Sequence, residues 1–406
     1  MTMQNRSNGL RGAVVGYGFI SERGHLPAWL SRAANRGDVS IVAVADSCPA
    51  RREKARAVLP PGIRVYADHE SLLAAEAGNL DFVDIAAPPN AHEEITHAAL
   101  DRGLHVLCEK PIAVSTEAAR RMLLHAKQAR RVFMPCHNYK HAPVIQAVRK
   151  VLSSGAIGKV RLVTLETFRN THAKGVTEWN RDWRRDQRVA GGGIAMDHGS
   201  HSFYLAFEWM ASHPTSITAK MSTLQRNFAV AGHEVEDDFS CTLTFPEGTA
   251  SARLTWNAGV RKVLYTIHGE HGAITVQDDD LEVAVMRAVD GEDVGKGAVE
   301  WSFEKRAVSS DWMDASHVTW FDAVIDQFKA AIARDEFVGH EARESFRCIQ
   351  LIQTAYASSR DRSRELPLED LTWLDAVDAS GEAPASRRRV SERRVEAQFP
   401  ERGAPR

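Results

Sequence analysis

The stretch "GAVVGYGFIS", from Gly12 to Ser21, decides the fold of this chain. An apolar run leads directly into a G-x-G-x-x-S turn that begins at Gly16. A tight strand-to-helix turn needs a residue without a Cβ, and so does the close approach of a pyrophosphate to backbone N–H groups. Ser21 stands where this fingerprint usually has glycine or alanine, and it is small enough for helix–strand packing. The turn predicts a dinucleotide site with contacts from Gly16, Gly18, Phe19 and Ile20.

The next apolar run, "IVAVAD", ends in an acidic residue, Asp46. A carboxylate at the end of the second strand accepts hydrogen bonds from an adenosine ribose and repels a 2′-phosphate. Arg51 and Arg52 follow closely and could offset that repulsion, so NAD is the predicted cofactor and NADP stays possible. Asp46 could also be the N-cap of a helix over "PARREKARAVL", and the two roles can coexist.

Short apolar runs alternate with helical segments from residue 10 to residue 137. The runs are "GAVVGYG", "IVAVAD", "FVDIAAPP", "HVLCEKP" and "RVFMPCH". Bare β-branched runs between amphipathic helices are typical of a parallel sheet that is covered on both faces. We therefore predict an α/β fold whose residues 10–137 form a doubly wound Rossmann domain that binds NAD.

The pattern changes to a period of two after a helix predicted over Ala142–Leu152. Segments such as "VRLVTLETF", "SITAKMSTL", "DFSCTLTF", "TASARLTWN", "VLYTIHGEHGAITVQ" and "LEVAVMR" alternate apolar and polar residues. This alternation predicts a large, mostly antiparallel open sheet with one face solvated or used in assembly. Two helices near Val318–Arg334 and Ala342–Ser359 would complete an α+β domain over residues 138–370. Residues 376–406 are rich in Ala, Ser, Glu and Arg, which favours a disordered tail over a nucleic-acid arm.

The composition narrows the class of protein. With 406 residues, 44% hydrophobic and 26% charged, the chain is typical of a globular protein with two domains. A net charge of -2 gives no reason to expect a nucleic acid or a lipid surface as partner. We found neither a signal peptide nor a run of roughly 18 apolar residues, so a cytoplasmic protein is expected. The five cysteines include no C-x-x-C pair, which favours buried thiols over disulfides or a zinc site.

Two further segments follow predicted strands, at the sheet edge where ligands bind in open α/β folds. In "AAPPNAHEE" the prolines end the strand and Asn90 could cap the next helix, and "CEKP" places Glu109 and Lys110 at a carboxyl end. A lysine is usually a solvated surface charge, but one fixed there by Pro111 favours function. The cofactor contacts predicted at this edge are Ala87, Pro88, Asn90, His92, Glu109 and Lys110.

The segment "GGGIAMDHGSHSFYLAFEW" (191–209) places an aspartate and two histidines within five positions. A metal site could use His198 and His201 with Asp197, although the H-E-x-x-H spacing is missing. A structural interpretation makes Asp197 a helix N-cap and His201 a buried histidine. A proton-transfer interpretation makes His201 the acceptor for a substrate hydroxyl, because an imidazole pKa of about 6.5 is close to working pH. In that case Lys110 would supply positive charge where an alkoxide develops.

Taken in order, these motifs resemble the Gfo/Idh/MocA family of nicotinamide-dependent oxidoreductases. The residues that carry the resemblance are "GYGFIS", Asp46, "PPNAHEEITHAALDRGLHVLCEKPIAVS", "HNYKHAPVIQAVRKVLSSGAIGKV" and "GGGIAMDHGSH". The resemblance implies that Lys110, Asp197 and His201 are the catalytic residues. The spacing of the 191–209 segment separately argues against a metal, and none is predicted. The resemblance also implies that Glu109 lies near the nicotinamide ribose, that Lys110–Pro111 is a candidate cis peptide, and that the open sheet forms a homodimer or homotetramer.

Three departures from the family pattern bear on the substrate. Ala87 replaces a frequent threonine, Tyr204 replaces an aspartate often found after the catalytic histidine, and Lys140 replaces a frequent arginine. The insert "HAKGVTEWNRDWRRDQRVAGGG" adds Trp183, whose face suits a sugar ring but could equally be packed in a core. The predicted substrate contacts are Tyr139, Trp183, Asp197 and His201.

The sequence therefore predicts an NAD(P)-dependent dehydrogenase that acts on a secondary hydroxyl of a sugar, a sugar derivative or a cyclitol. One alternative is an NAD-dependent sugar lyase or glycosidase that oxidises its substrate only transiently. Another is a catalytically inactive nucleotide-binding paralogue. The sequence does not name the substrate, its direction of conversion or the oligomer size.

Overall fold

A computed structural model describes residues 9–224, 235–288, 299–309 and 317–375, so the tail predicted for residues 376–406 lies outside the described part. The strands of the first sheet are β1 (Leu10–Val15), β2 (Val39–Ala45), β3 (Arg64–Tyr66), β4 (Phe82–Ile85), β5 (His105–Cys108) and β6 (Phe133–Pro135). They are parallel, in the order β3-β2-β1-β4-β5-β6, which is the Rossmann order. The five apolar runs are confirmed as strands. Strand β3 was missed because its three residues are partly exposed and form no apolar run.

Both faces of this sheet are covered, as its bare apolar strands predict. Ala13 and Val15 of β1 belong to one hydrophobic cluster, whereas Val14 between them belongs to a second cluster with Trp29. Alternate residues of a strand point to opposite faces, so each face of the sheet has its own core. The helices in this half are α1 (Leu26–Arg36), α2 (Pro49–Val58), α3 (His69–Glu76), α4 (His92–Leu100) and α5 (Thr116–Ala129).

The second sheet has nine described strands and is mostly antiparallel. They are β7 (Val160–Phe168), β8 (Ser216–Ser222), β9 (Asp238–Phe245), β10 (Gly248–Thr255), β11 (Lys262–Gly269), β12 (Gly272–Gln277), β13 (Asp280–Ala288), β14 (Val299–Ala307) and β15 (Leu366–Pro367). Their order is β14-β13-β12-β11-β7-β10-β9-β8-β15, and only β7 and β10 pair in parallel. The period-two segments are thus confirmed as strands, and β14 and β15 were not predicted.

The remaining described helices follow the first sheet in the chain. They are α6 (Pro143–Ser153), α7 (Gln187–Ala190), α8 (Ser200–Met210), α9 (Val318–Ala333), α10 (His340–Arg360) and α11 (Thr372–Asp375). Helix α9 returns to the first sheet, where Phe328 packs edge-on against Phe82 with ring centroids 5.6 Å apart. Arg32 of α1 also pairs with Asp322 of α9 at 3.2 Å. These contacts pack α9 against the first domain. The candidate site lies at the carboxyl edge of the first sheet, where Lys110 after β5 contacts Asp197.

None of the helices in the described ranges combines the length and apolar content that a membrane span requires. All five cysteines are buried free thiols, as predicted.

Candidate active site

Lys110 and Asp197 meet in the structure, although 87 positions separate them in the sequence. Lys110 follows β5, and its peptide bond to Pro111 is cis, as expected. Its Nζ donates to the backbone oxygen of Asp197 at 3.0 Å and lies 4.0 Å from the carboxylate atom Oδ1. The lysine is therefore directed into the cleft rather than into solvent.

A buried glutamate holds the turn that carries Asp197. Residues 195–199 form one turn of π-helix that continues into α8, so the prediction of Asp197 as a helix N-cap is wrong. The carboxylate of Glu236 accepts from Ala195 N at 2.9 Å, from Gly193 N at 3.0 Å and from the Tyr356 hydroxyl at 2.7 Å. A Cβ on Gly193 would lie 1.8 Å from the Glu236 backbone oxygen, and this close approach explains the glycine.

Two positive charges and a histidine surround the Asp197 carboxylate. Burial lowers the pKa of that histidine, His198, to about 3, so its ring is neutral. Arg184 donates through Nε to Oδ1 at 3.2 Å, and His198 Nε2 lies 3.7 Å from Oδ2. Burial opposes the negative charge, but Arg184, His198 and Lys110 outweigh burial and lower the pKa of Asp197, so its carboxylate is ionised. Oδ2 is buried and has no hydrogen-bond partner within the described ranges. One carboxylate oxygen is therefore left to accept from a bound hydroxyl.

His201 lies in the same cleft, between two tyrosines. Its ring stacks on Tyr139 with centroids 3.7 Å apart, and its Nδ1 shares a hydrogen bond of 2.6 Å with the Tyr204 hydroxyl. Burial, followed by the charge of Lys110, lowers the pKa of His201 well below its ordinary value, so the ring is neutral near neutral pH. It is a buried histidine, as the structural interpretation has it, but it is also placed beside Asp197 and Lys110.

Outside the metal alternative the sequence predicted no role for His198, and its contact with Asp197 was not expected. Its ring centroid lies 6.1 Å from that of His201. Within the described ranges, a few clusters of His, Cys, Asp and Glu side chains bring possible metal-ligand atoms within 4.8 Å of one another. None of these clusters includes Asp197, His198 or His201.

The glycine turn after β1 has the shape that a dinucleotide needs. Gly16 has a φ of 100°, and a Cβ there would lie 2.6 Å from the Ala86 backbone oxygen. A Cβ on Gly18 would meet no atom within 4 Å, which leaves open space for a pyrophosphate above the turn. Phe19 is 45% exposed beside that space, and Ile20 is half-buried. The residues present therefore fit the cofactor at this end of the sheet.

The Asp46 carboxylate accepts hydrogen bonds from two backbone N–H groups and does not cap a helix. Its Oδ2 accepts from Tyr17 N at 2.7 Å and its Oδ1 from Cys48 N at 2.8 Å. Helix α2 begins after Cys48, so the N-cap prediction for Asp46 is wrong. Arg52 donates instead to the backbone oxygens of Asp46 and Ser47, at 2.8 Å each. Arg51 is buried and donates to the Tyr17 backbone oxygen at 2.7 Å.

The loop after β4 differs in detail from its prediction. Ala87 and Pro88 are half-buried at the sheet edge, but Asn90 is exposed and the N-cap of α4 is Ala91, so the capping prediction for Asn90 is wrong. His92 is fully buried, and its ring nitrogens face Ala87 O at 2.8 Å and Pro111 O at 3.0 Å. His92 therefore ties the two edge loops together through both of its ring nitrogens, and its contact with a cofactor stays a prediction.

Glu109 belongs to a buried charged network that the sequence interpretation missed. His25 Nε2 lies 2.9 Å from Glu109 Oε1, and its Nδ1 lies 2.8 Å from Asp84 Oδ2. Trp29 Nε1 donates to the same Asp84 oxygen at 2.7 Å, and Lys110 N donates to Glu109 Oε2 at 3.0 Å. Burial lowers the pKa of His25, but the charge of Asp84 and the hydrogen bonds outweigh it and raise that pKa well above its ordinary value. The signal in the sequence that could have pointed to this network is His25, four positions after Ser21.

Trp183 lies on the insert, in a short 3₁₀ turn over Trp183–Arg185. Its ring is half-buried and stacks under the guanidinium of Arg184, whose Cζ is 4.2 Å from the ring centroid. Arg184 also bonds Asp197, so the insert reaches the cleft. The contact between Arg184 and Asp197 was not predicted.

The fold and the site define a dinucleotide-binding oxidoreductase with a lysine, an aspartate and a histidine in one cleft. Family models agree with this class: residues 10–137 match the oxidoreductase family with an NAD-binding Rossmann fold, and residues 145–275 match the GFO/IDH/MocA C-terminal domain. The chain belongs to the Gfo/Idh/MocA family.

Several relatives are named sugar dehydrogenases. The chain is 30% identical to levoglucosan dehydrogenase of Pseudarthrobacter phenanthrenivorans over 51% of its own length and 58% of that protein. It is 37% identical to D-apiose dehydrogenase of Paraburkholderia graminis over 36% of its length and 37% of that protein. The match thus spans little more than half of the first relative and less of the second. The structure of levoglucosan dehydrogenase in complex with NADH covers 89% of the chain and 100% of that protein, with a TM-score of 0.74 and 21% identity.

Proposed function

We propose that this protein catalyses reversible hydride transfer between NAD and a secondary hydroxyl of a sugar, a sugar derivative or a cyclitol. The observation that carries the proposal is the convergence of the Lys110 ammonium on Asp197, in the cleft that contains the neutral, stacked His201. Relatives named as dehydrogenases for levoglucosan, D-glucoside and inositol support the class of substrate.

Each residue has one task in this reaction. His201 accepts the hydroxyl proton at Nε2, while its Nδ1–H donates to the Tyr204 hydroxyl and so fixes the tautomer. The unpartnered Oδ2 of Asp197 accepts from a substrate hydroxyl and orients it, and Lys110 stabilises the alkoxide as it forms. When bound, the nicotinamide supplies the hydride acceptor for this step.

The contacts at Asp46 favour NAD over NADP. Its carboxylate lies at the end of β2, where a ribose binds in this fold, and the arginines nearby do not neutralise it. Arg52 is turned toward backbone oxygens, and Arg51 pairs with Glu22 and Glu178. A 2′-phosphate would therefore meet negative charge. Changing Asp46 to Ser should raise kcat/KM with NADP relative to NAD, which paired assays with both cofactors measure.

A panel of neutral sugars, sugar acids and cyclitols with NAD, followed by the absorbance of the reduced cofactor, tests the proposal. Accumulation of NADH supports a dehydrogenase, whereas product release without any absorbance change would indicate transient oxidation and contradict it. His201→Ala should lower kcat on the order of 100-fold or more while NAD binding stays nearly unchanged. If His201→Ala turns over at the wild-type rate, the assigned base is wrong.

We also propose that the chain forms a homodimer or homotetramer through the open face of the second sheet. Register aligns Phe303 with Ala284, Ala273, His268 and Leu162 in one row across five strands. Residues directly opposite one another share a face, and the apolar ends of this row are exposed, Phe303 at 69% and Leu162 at 39%. An apolar row of this kind is typical of an interface core.

A further inference from the structure

Two arginines flank the paired ends of β7 and β11, Arg169 directly after β7 and Arg261 directly before β11. Strands β7 and β11 are antiparallel, with Phe168 opposite Lys262, so continuing this register by one residue places Arg169 opposite Arg261. Directly opposite residues have Cβ atoms about 4.5–5.5 Å apart, and like charges in that arrangement destabilise a sheet. Burial, and then the charge of Arg169, lowers the pKa of Arg261. The negative charge of Asp278 raises the pKa of Arg261, but not enough to offset these two effects.

The side-chain contacts of Arg169 are better defined than those of Arg261. Its side chain is only 9% exposed, and Nη1 donates to the Phe168 backbone oxygen at 2.8 Å and to that of Lys262 at 3.3 Å. These bonds fix the guanidinium plane. Its Nε and Nη2 have no acceptor among the described residues, and such a pair of N–H groups matches the two oxygens of a carboxylate. An oriented guanidinium with three of its five N–H donors unused is typical of an anion site.

This site adjoins the reacting groups. Arg184 links the two places, because its Nη1 donates to the backbone oxygen of Ala173, four residues beyond Arg169, at 3.1 Å, and its Nε donates to Asp197 Oδ1 at 3.2 Å. Burial raises the pKa of Tyr139, and the charges of Arg169, Asp197 and Arg261 also act on that pKa. Tyr139 stacks on His201 at 3.7 Å. Arg169 also helps to lower the pKa of His198 beside Asp197, after burial, which is the largest cause. A ligand whose hydroxyl meets His201 therefore has Arg169 within reach of its other end.

The cations around the cleft outnumber the carboxylates that contact them. Lys110 and Arg184 converge on Asp197, and Arg169 has no carboxylate contact within the described ranges. A neutral sugar would leave this buried charge without a partner. We propose that the substrate is a sugar acid, with a carboxylate that Arg169 binds through Nε and Nη2 while a secondary hydroxyl faces His201. This inference rests on the proposed dehydrogenase function and narrows its substrate class.

Matched substrates test the proposal on the wild-type enzyme. The pairs are D-glucuronate against D-glucose and D-galacturonate against D-galactose, with D-glucose 6-phosphate added, and NADH formation is the readout. We expect kcat/KM at least 10-fold higher for the acids than for their neutral partners. Equal or better use of the neutral sugars, or a preference for the phosphate, would overturn the sugar-acid proposal and leave the dehydrogenase intact. No NADH from any compound would overturn the proposed function itself.

Variants of Arg169 then test whether this residue causes the preference for sugar acids. Arg169→Gln should lower kcat/KM for the acids on the order of 10- to 100-fold, with a change below about 3-fold for neutral sugars, because a hydrogen bond to a charged group is lost. Arg169→Lys keeps the charge but not the fork, and it should retain an intermediate preference. Arg149→Gln, which removes a distant arginine paired with Glu208, serves as the control and should leave the preference unchanged. Equal losses on acidic and neutral substrates in Arg169→Gln would contradict the assignment.

Discussion

Tyr204 gives His201 a neutral partner where many members of the family have an aspartate. A phenol in hydrogen-bond contact orients the imidazole but does not raise its basicity as a carboxylate would. Because burial and Lys110 already lower the pKa of His201, the base stays neutral at pH values where an ordinary histidine is protonated. The acidic limb of kcat should therefore lie below about 6.5, the ordinary histidine pKa.

The tyrosine can be tested with two substitutions. Tyr204→Phe should lower kcat about 5- to 10-fold, since one hydrogen bond of about 1 kcal/mol is lost, and should leave NAD binding unchanged. Tyr204→Asp should move the acidic limb of the kcat profile to higher pH, because a neighbouring carboxylate favours the protonated imidazole. An acidic limb that stays in place in Tyr204→Asp would show that another group is the titrating base.

The charge of His25 makes the free energy of unfolding depend on pH. Its pKa is raised in the folded protein, so its contribution is fully present below the unfolded-state pKa of about 6.5 and is lost as the pH rises toward the folded-state value. Relative to His25→Gln, the wild type should lose about 1.4 kcal/mol of unfolding free energy per pH unit within that window. Urea unfolding of both proteins at pH 6, 7 and 8 measures the difference. A difference that does not change with pH would mean that His25 is neutral in the fold.

These residues also show which parts of the site could be predicted from the sequence and which could not. The cofactor turn, Lys110, Asp197 and His201 could be singled out in the sequence because each follows a recognisable strand or motif. The capping roles predicted for Asp46, Asn90 and Asp197 were wrong, because local preference for a cap was overridden by the backbone path that the fold imposes. The contact of Arg184 with Asp197 depends on how the insert folds back, which residue spacing does not reveal.

Among the elements, the π-turn over residues 195–199 has the most direct bearing on catalysis. Three glycines precede it, and one of them, Gly193, closely approaches the Glu236 backbone. The sequence could not reveal this partner, because Glu236 and Tyr356 lie on distant segments whose convergence requires the complete fold. Glu236 thus positions Asp197 through the turn.

Gly193→Ala should displace this turn. The added Cβ would lie 1.8 Å from a backbone oxygen, so the turn must move and carry Asp197 away from Lys110. We expect kcat to fall on the order of 100-fold, as small misplacements of reacting groups can do, with NAD binding retained. Gly78→Ala is the matched control, since a Cβ there meets no atom within 4 Å. Wild-type kcat in Gly193→Ala would exclude the positioning role of the turn.

For the whole molecule, strand alternation was enough to predict two sheets of different type and their order along the chain. Strand β14 was not predicted, although its segment "VEWSFEK" alternates apolar and polar residues, and Trp301 and Phe303 lie exposed on the sheet edge. Their conspicuous exposure is itself informative, because an edge strand with two large aromatic side chains on one face favours association.

The double substitution Trp301→Lys with Phe303→Lys tests assembly through this face. If β14 and the open face form the interface, two charges at its apolar positions should lower the sedimentation mass from that of an oligomer to that of one chain. Both side chains are more than half exposed, so the fold and far-ultraviolet dichroism should be retained. Val58→Lys, on α2 of the first domain, also charges an exposed apolar position and should leave the mass unchanged. An oligomer that survives the double substitution would place the interface elsewhere.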